Sequence, residues 1–140
     1  MTAQEGLIHS TKAPKPVGCY PHARKVGNFL FLSGVGPRER GSDQIPGVEL
    51  DAHGNIIAYD IETQCRAVFG NVKHILEDAG SSWEKLVDVT VFLTNMKADF
   101  AAFNRIYAEY FRDNQPCRTT VEVNRLPTPI AIELKCIATI

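Results

Sequence analysis

Apolar positions recur with two different periods along the chain, and the changes of period mark its elements. Phe29-Leu30-Phe31-Leu32 is an unbroken apolar run that ends at Ser33-Gly34. A run so short, bounded by turn residues, predicts a buried strand over 29–32. An edge strand over 17–25 is expected to precede it, with a turn at Gly27-Asn28. Ile61, Cys65, Val68, Val72, Ile75 and Ala79 then recur three or four apart and form one stripe of a helix. Asp60 is its expected N-cap and Gly80 its stop. Ser81-Ser82-Trp83-Glu84 has the form of a capping box for one short turn. Val87, Val89, Val91 and Leu93 alternate and predict a strand over 86–94. A second helix is predicted over 98–112, with Phe100, Phe103, Tyr107 and Tyr110 or Phe111 facing inward, ended by Asp113-Asn114-Gln115-Pro116.

The segment 116–140 reads as two strands joined by a proline-rich turn. Arg118, Thr120 and Glu122 fall on one face of the first strand, and Thr119, Val121 and Val123 on the other. In the second, Ile130, Ile132, Leu134, Cys136, Ala138 and Ile140 make an apolar face, opposite Ala131, Glu133, Lys135, Ile137 and Thr139. If these strands pair, Arg118 and Glu133 leave the same side of the sheet, a cation and a carboxylate on a partly apolar surface. The element order ββαβαββ predicts an α+β chain with a single mixed β-sheet and two helices packed on one face. The other face would keep apolar residues such as Ala131 and Ile137 uncovered, which predicts a homo-oligomer whose sheets face one another. Residues 1–16 are expected to form a loosely held arm, and 35–59 a long functional loop with a short strand at 56–59.

The 140 residues fit one domain, 1–140, large enough to hold a core without disulfides or metal. A net charge of -1, with no basic stripe, speaks against a nucleic-acid partner. The start lacks the apolar centre of a signal peptide, and no apolar run approaches the ~20 residues of a membrane span. Cys19, Cys65, Cys117 and Cys136 show no CxxC pairing, so a reducing cytoplasm is expected. His9, His22, His53 and His74 show neither HxxxH nor HExxH, and no metal is expected. No glycine-rich loop leads from a strand into a helix, and no cofactor is expected.

Three segments carry a family resemblance. PCRTTVEVNRLP followed by AIELKCIA resembles the C-terminal signature of the reactive-intermediate deaminase family (Rid, or YjgF-like). LVDVTVFLTNMKADFAAFNRIYAEYF resembles its strand and second helix, and VGCYPHARKVGNFLFLSG its opening. The resemblance spans about 15–140 apart from 35–59 and implies a chorismate-mutase-like fold, a homotrimer with three sites between subunits, and hydrolysis of enamines or imines to ketones and ammonia. Whether trimers pair into hexamers is left open. By the same resemblance, Arg118 holds the substrate carboxylate, Glu133 positions or activates water, Tyr20 and Ser33 line the pocket, and Asn104 lies near it. Thr120 stands where many members carry cysteine. From the residues alone, Arg118 has an alternative role in an ion pair with Glu122 or Glu133, and Glu133 in one with Lys135 or Arg125.

Tyr20-Pro21-His22 and the charged loop after Ser33-Gly34 bring the chain nearest to members that act on 2-aminomuconate in aromatic catabolism. That substrate has two carboxylates, and a second cation is then required. His22, Arg38 and Arg40 are the candidates. A broad enamine and imine deaminase acting on 2-aminoacrylate-like intermediates, and a non-catalytic carboxylate-binding trimer, are the alternatives.

Overall fold

A computed structural model describes residues 5–42 and 44–140. Residues 1–4 of the expected arm and Asp43 of the expected loop lie outside the described residues. In chain order the elements are β1 (Leu7–Ile8), β2 (Ala23–Val26), β3 (Phe29–Leu32), β4 (Val48–Leu50), β5 (Ile56–Tyr59), α1 (Ile61–Asp78), a 3-10 turn (Trp83–Lys85), β6 (Leu86–Leu93), α2 (Met96–Tyr110), β7 (Cys117–Glu122) and β8 (Ile132–Thr139). Six strands form one mixed sheet in the order β1-β2-β3-β8-β6-β7, and β4 and β5 form a separate ribbon. Among the described residues only β6 and β7 run parallel, joined by α2 as the crossover.

Both helices cover one face of this sheet. Leu30, Leu32, Val89, Val91, Leu93, Ile132, Leu134, Cys136 and Ala138 are buried there, against Cys65, Val68, Phe69, Val72, Ile75 and Leu76 of α1 and Phe103 and Ile106 of α2. Each large apolar side chain so enclosed contributes about 1.5–3 kcal/mol relative to exposure. Phe69 lies at the helix junction, with its ring centroid 4.7 Å from Tyr110, 6.0 Å from Phe111 and 6.1 Å from Trp83. Asp60 caps α1 by accepting from the Thr63 amide, and Gly80, at φ 81°, ends it in a conformation that side chains resist.

The α+β architecture is the expected one, with local corrections. The expected strand over 17–25 is confined to Ala23–Val26, and it is not the edge, because β1 pairs outside it. Phe29 and Phe31 are exposed while Leu30 and Leu32 are buried, so the apolar run is a half-covered strand. A register shift between Leu86 and Asp88 turns Val87 outward and makes Leu86 the buried residue instead. The capping box does not form, since Ser82 makes no side-chain cap and Ser81 Oγ donates to the Thr139 carbonyl. Phe100 is exposed. The loop at 35–59 contains β4, whose three residues carry too little alternation to read from sequence.

The uncovered sheet face is semi-apolar, as expected, and carries Ile137 but not Ala131. Val26, Phe29, Phe31 and Val121 are exposed, and Phe92 and Ile137 half-buried. Ala131 is buried instead; its amide donates to Gln64 Oε1 at 2.7 Å.

The described part of the arm is fastened rather than loose. Buried His22 accepts from the Ser10 amide through Nδ1 at 2.9 Å and meets the Pro14 carbonyl through Nε2 at 2.7 Å. Ser10 Oγ donates to Asp78 at 2.6 Å, and Arg40 donates to the carbonyls of Ser10 and Ala13. His22→Ala is expected to leave two buried polar groups of the arm unpaired and to cost about 2 kcal/mol. Denaturant unfolding measures this loss, and hydrogen exchange at the Ser10 amide should accelerate with it.

Candidate active site

Glu133 stands on β8 between buried Ile132 and Leu134, so its side chain leaves from the uncovered face. The chain after β3 lies against it. Val35 exchanges backbone hydrogen bonds with Leu134 at 2.8 and 2.9 Å, which presses Gly34 onto the carboxylate. A Cβ on Gly34 would stand 2.9 Å from Glu133 Oε2. A side chain at this position would displace the Glu133 carboxylate, the mobile end of a flexible side chain, so glycine lets that carboxylate lie against the backbone.

Gly34 also lines a cleft with Tyr20, His22, Ser33 and Arg38. Ser33 Oγ donates to the Pro21 carbonyl at 2.7 Å and Tyr20 Oη accepts from the Val17 amide at 3.2 Å, which fixes both side chains at the rim. Burial raises the Glu133 carboxyl above its ordinary value of 4.5, and the positive charge of Arg38 opposes the rise. The opposing cation is thus Arg38, and the expected part for Arg118 is not found within one chain. Neither alternative ion pair of Glu133 forms among the described residues. The Lys135 ammonium donates instead to the Leu32 carbonyl.

Arg118 belongs to a second cluster. Its Nη1 donates to Asn104 Oδ1 on α2 at 2.9 Å. Its guanidinium carbon lies 4.6 Å from the Tyr107 ring centroid, 5.4 Å from Phe103 and 5.9 Å from Phe100. The aromatic platform orients the guanidinium and strips water from one of its faces. Thr120, two residues along β7, has a buried Oγ1 with no hydrogen-bond partner in the described structure, and the Tyr107 hydroxyl is in the same condition. Glu122 does not pair with Arg118; it accepts from the Met96 amide at the start of α2.

These two clusters do not share a sheet face. β7 and β8 never pair, because β6 lies between them. Arg118 is in register with buried Val89, and Glu133 with half-exposed Phe92. Arg118 therefore points to the helix side and Glu133 to the uncovered side, and two strand spacings of about 4.8 Å separate them. The single-face site expected from the alternation of 116–140 is incorrect for one chain.

Of the three second-cation candidates, His22 and Arg40 are committed to the arm as described above. Arg38 lines the cleft. The sequence reading missed Gly34 and Asn71. Asn71 Nδ2 donates to the carbonyls of Gly36 and Arg38 at 2.9 and 2.8 Å and so holds the cleft wall. The available signal was a polar residue beside Val68, Val72 and Ile75 in the helical stripe. Cys65 and Cys136 are buried, as expected of core residues, with both thiols pushed up to about 12 by burial. Among the described residues no group of three or more His, Cys, Asp or Glu is arranged to hold a metal ion, and no helix is long and apolar enough to cross a membrane.

The family model described as Endoribonuclease L-PSP matches residues 10–140. The chain belongs to this family, the Rid/YjgF/RutC proteins. A RutC family protein of Pyrococcus abyssi is 44% identical over 133 residues, 94% of each chain. The chloroplastic Reactive Intermediate Deaminase A of Arabidopsis thaliana is 34% identical over 139 residues, covering 99% of this chain and 68% of that protein. Among solved structures, Escherichia coli TdcF with bound serine superposes with a TM-score of 0.82 at 31% identity, covering 96% of this chain and 98% of that one. The Rid match accounts for the layer order and for the parallel β6–β7 crossover.

A raised Glu133 has a consequence for stability in this Rid chain. Folding tightens its hold on a proton, so the stability contributed here is greatest below 4.5 and declines as pH rises through the raised folded value. Glu133→Gln removes that decline. The variant is expected to melt above the parent near about pH 7 and together with it near about pH 4. Scanning calorimetry at both pH values checks this, and equal melting at the higher one would contradict a desolvated carboxylate.

Proposed function

We propose that the protein is a cofactor-free deaminase that hydrolyses enamine and imine carboxylates, with each site completed between two subunits of a homotrimer. The observation that carries this reading is the separation of Arg118 and Glu133 onto opposite faces of the sheet. One chain holds a carboxylate anchor and a candidate base that cannot meet on one small molecule. A neighbour laid against the exposed Phe29, Phe31 and Val121 face would bring a second copy's anchor to the Glu133 cleft. Supporting it further are membership in the Rid family, the name of the Arabidopsis relative, and the carboxylate-bearing serine in the TdcF structure. The net charge of -1 favours a small substrate over a polyanion such as RNA.

The chemistry asks little beyond positioning. An imine carbon is already electrophilic. Arg118, presented flat by Asn104 and Tyr107, takes the substrate carboxylate through two hydrogen bonds and fixes the imine near Glu133. Glu133 takes a proton from water as the water oxygen adds to the carbon and passes it to nitrogen, giving a carbinolamine. It then takes the carbinolamine hydroxyl proton and hands it to nitrogen as the C–N bond breaks, so that the ketone and ammonia leave. Desolvation raises the basicity of Glu133 toward the working pH, which suits both steps. Tyr20 and Ser33 line the approach, and Thr120 lies beside Arg118 without a thiol. Within this class the reading extends to 2-aminomuconate, which would yield 4-oxalocrotonate, in a reducing cytoplasm that suits the four unpaired cysteines.

Subunit complementation tests the proposal. Arg118→Met and Glu133→Gln proteins are each expected to release ammonia from an enzymatically generated imine no faster than the spontaneous reaction. Unfolded together in equal amounts and refolded, they should recover about a quarter of the parental activity, because about a quarter of all randomly assembled interfaces join an intact arginine to an intact glutamate. No recovery, with trimers formed, would contradict sites shared between subunits. Binding of a carboxylate without turnover by the parent would favour the carboxylate-binding role instead.

A further inference from the structure

Arg38 is the one candidate cation in the cleft whose guanidinium the fold has left largely unspent. His22 uses both ring nitrogens on the arm, and Arg40 is committed to the carbonyls of Ser10 and Ala13. Among the described residues Arg38 gives a single hydrogen bond, Nη2 to the Lys15 carbonyl at 2.8 Å, out of the five N–H donors that a guanidinium carries. It forms no ion pair among the described residues although it is half-buried. Its donors are therefore open to a ligand that enters the cleft.

Its position is fixed from below. Asn71 on α1 holds the Arg38 carbonyl at 2.8 Å, and the same asparagine holds Gly36. The backbone that carries the guanidinium is therefore tied to α1, beside Tyr20, Ser33 and Gly34. Glu133 is across Gly34. Gly34 thus stands between the cleft that Arg38 lines and the Glu133 carboxylate, and the charge of Arg38 reaches that carboxylate. On the deaminase reading, the Arg118 of a second copy would hold the end of the substrate nearest the reacting carbon.

We propose that Arg38 is a specificity-determining residue that takes the second carboxylate of a dicarboxylic enamine or imine, so that the site selects substrates charged at both ends. The inference rests on the deaminase reading of the same cleft. A monocarboxylic imine would leave the Arg38 donors unanswered, and a dicarboxylate would gain a charge-assisted, bidentate contact. A contact of this kind is worth about 10- to 100-fold in kcat/KM.

The experiment compares the full-length parent with Arg38→Met and Arg38→Lys on two substrates generated in the assay. One is the dicarboxylic 2-aminomuconate and the other is the monocarboxylic imine formed from 2-aminoacrylate. In Arg38→Met the ratio of kcat/KM for the dicarboxylate to that for the monocarboxylate should fall about 10- to 100-fold, carried mainly by KM. Arg38→Lys, which keeps a point charge without the fork, should fall between the two. An unchanged ratio in a variant that melts like the parent overturns the assignment. A second readout separates this from the deaminase reading: calorimetric binding of adipate against hexanoate. If the parent turns over neither imine, the deaminase reading fails and calorimetry alone decides. A preference for adipate that Arg38→Met abolishes supports the assignment, and no preference in the parent overturns it.

Discussion

A strand sends alternate side chains to opposite faces, and the placement of β6 between β7 and β8 makes that rule decisive for this molecule. Had β7 and β8 paired directly, antiparallel alternation would have allowed an arginine and a glutamate to share a face. With β6 interposed, Val89 fixes Arg118 to the helix side and Phe92 fixes Glu133 to the open side. The register cannot slip by one residue to relieve this, because Val89, Val91 and Leu93 would then leave the core. Hydrophobic burial thereby dictates where charge can go, and on the proposed reading the chemistry is assembled from two incomplete halves.

Each half is built by different means. The Arg118 half uses a hydrophobic device, a row of aromatic side chains on α2 whose faces set the plane of the guanidinium. The Glu133 half uses polar fastening. His22, Ser10, Asp78 and Arg40 tie the arm to the end of α1, and Asn71 ties down the chain at Gly36 and Arg38. These bonds satisfy backbone groups that the packed arm would otherwise bury unpaired. The cleft wall is consequently irregular chain with the rigidity of a helix.

The helices and the long strands were legible because each buries a continuous stripe, and burial writes periodicity into sequence. Asp60 and Gly80 were legible for a local reason, a cap and a positive φ. Arg118, Asn104 and Glu133 could be singled out by motif, yet the face each occupies could not. Strand neighbours are a long-range property, and 116–140 looks like a hairpin until β6 is known to divide it. Val87 misled because a bulge shifts alternation by one residue without leaving a mark in composition. The fastening role of His22 was not legible, because a histidine that staples backbone and one that meets substrate share the same chemistry, and its partners show only once the arm is placed.

The order of strands also bears on how the molecule comes into being. β8, the last strand in sequence, lies in the interior of the sheet, hydrogen-bonded to β3 on one side and β6 on the other. Everything made before it can at most collapse into two separate sheet fragments, β1-β2-β3 and β6-β7, each with an open edge. Joining them requires contacts between residues about a hundred positions apart, which are slow to form. During synthesis the chain therefore passes through an interval in which two adhesive edges await one strand. The residue that carries the candidate base, Glu133, arrives on the piece that closes them. Completion of the sheet and the arrival of Glu133 beside Gly34 are a single event, because Val35 and Leu134 pair in the same step.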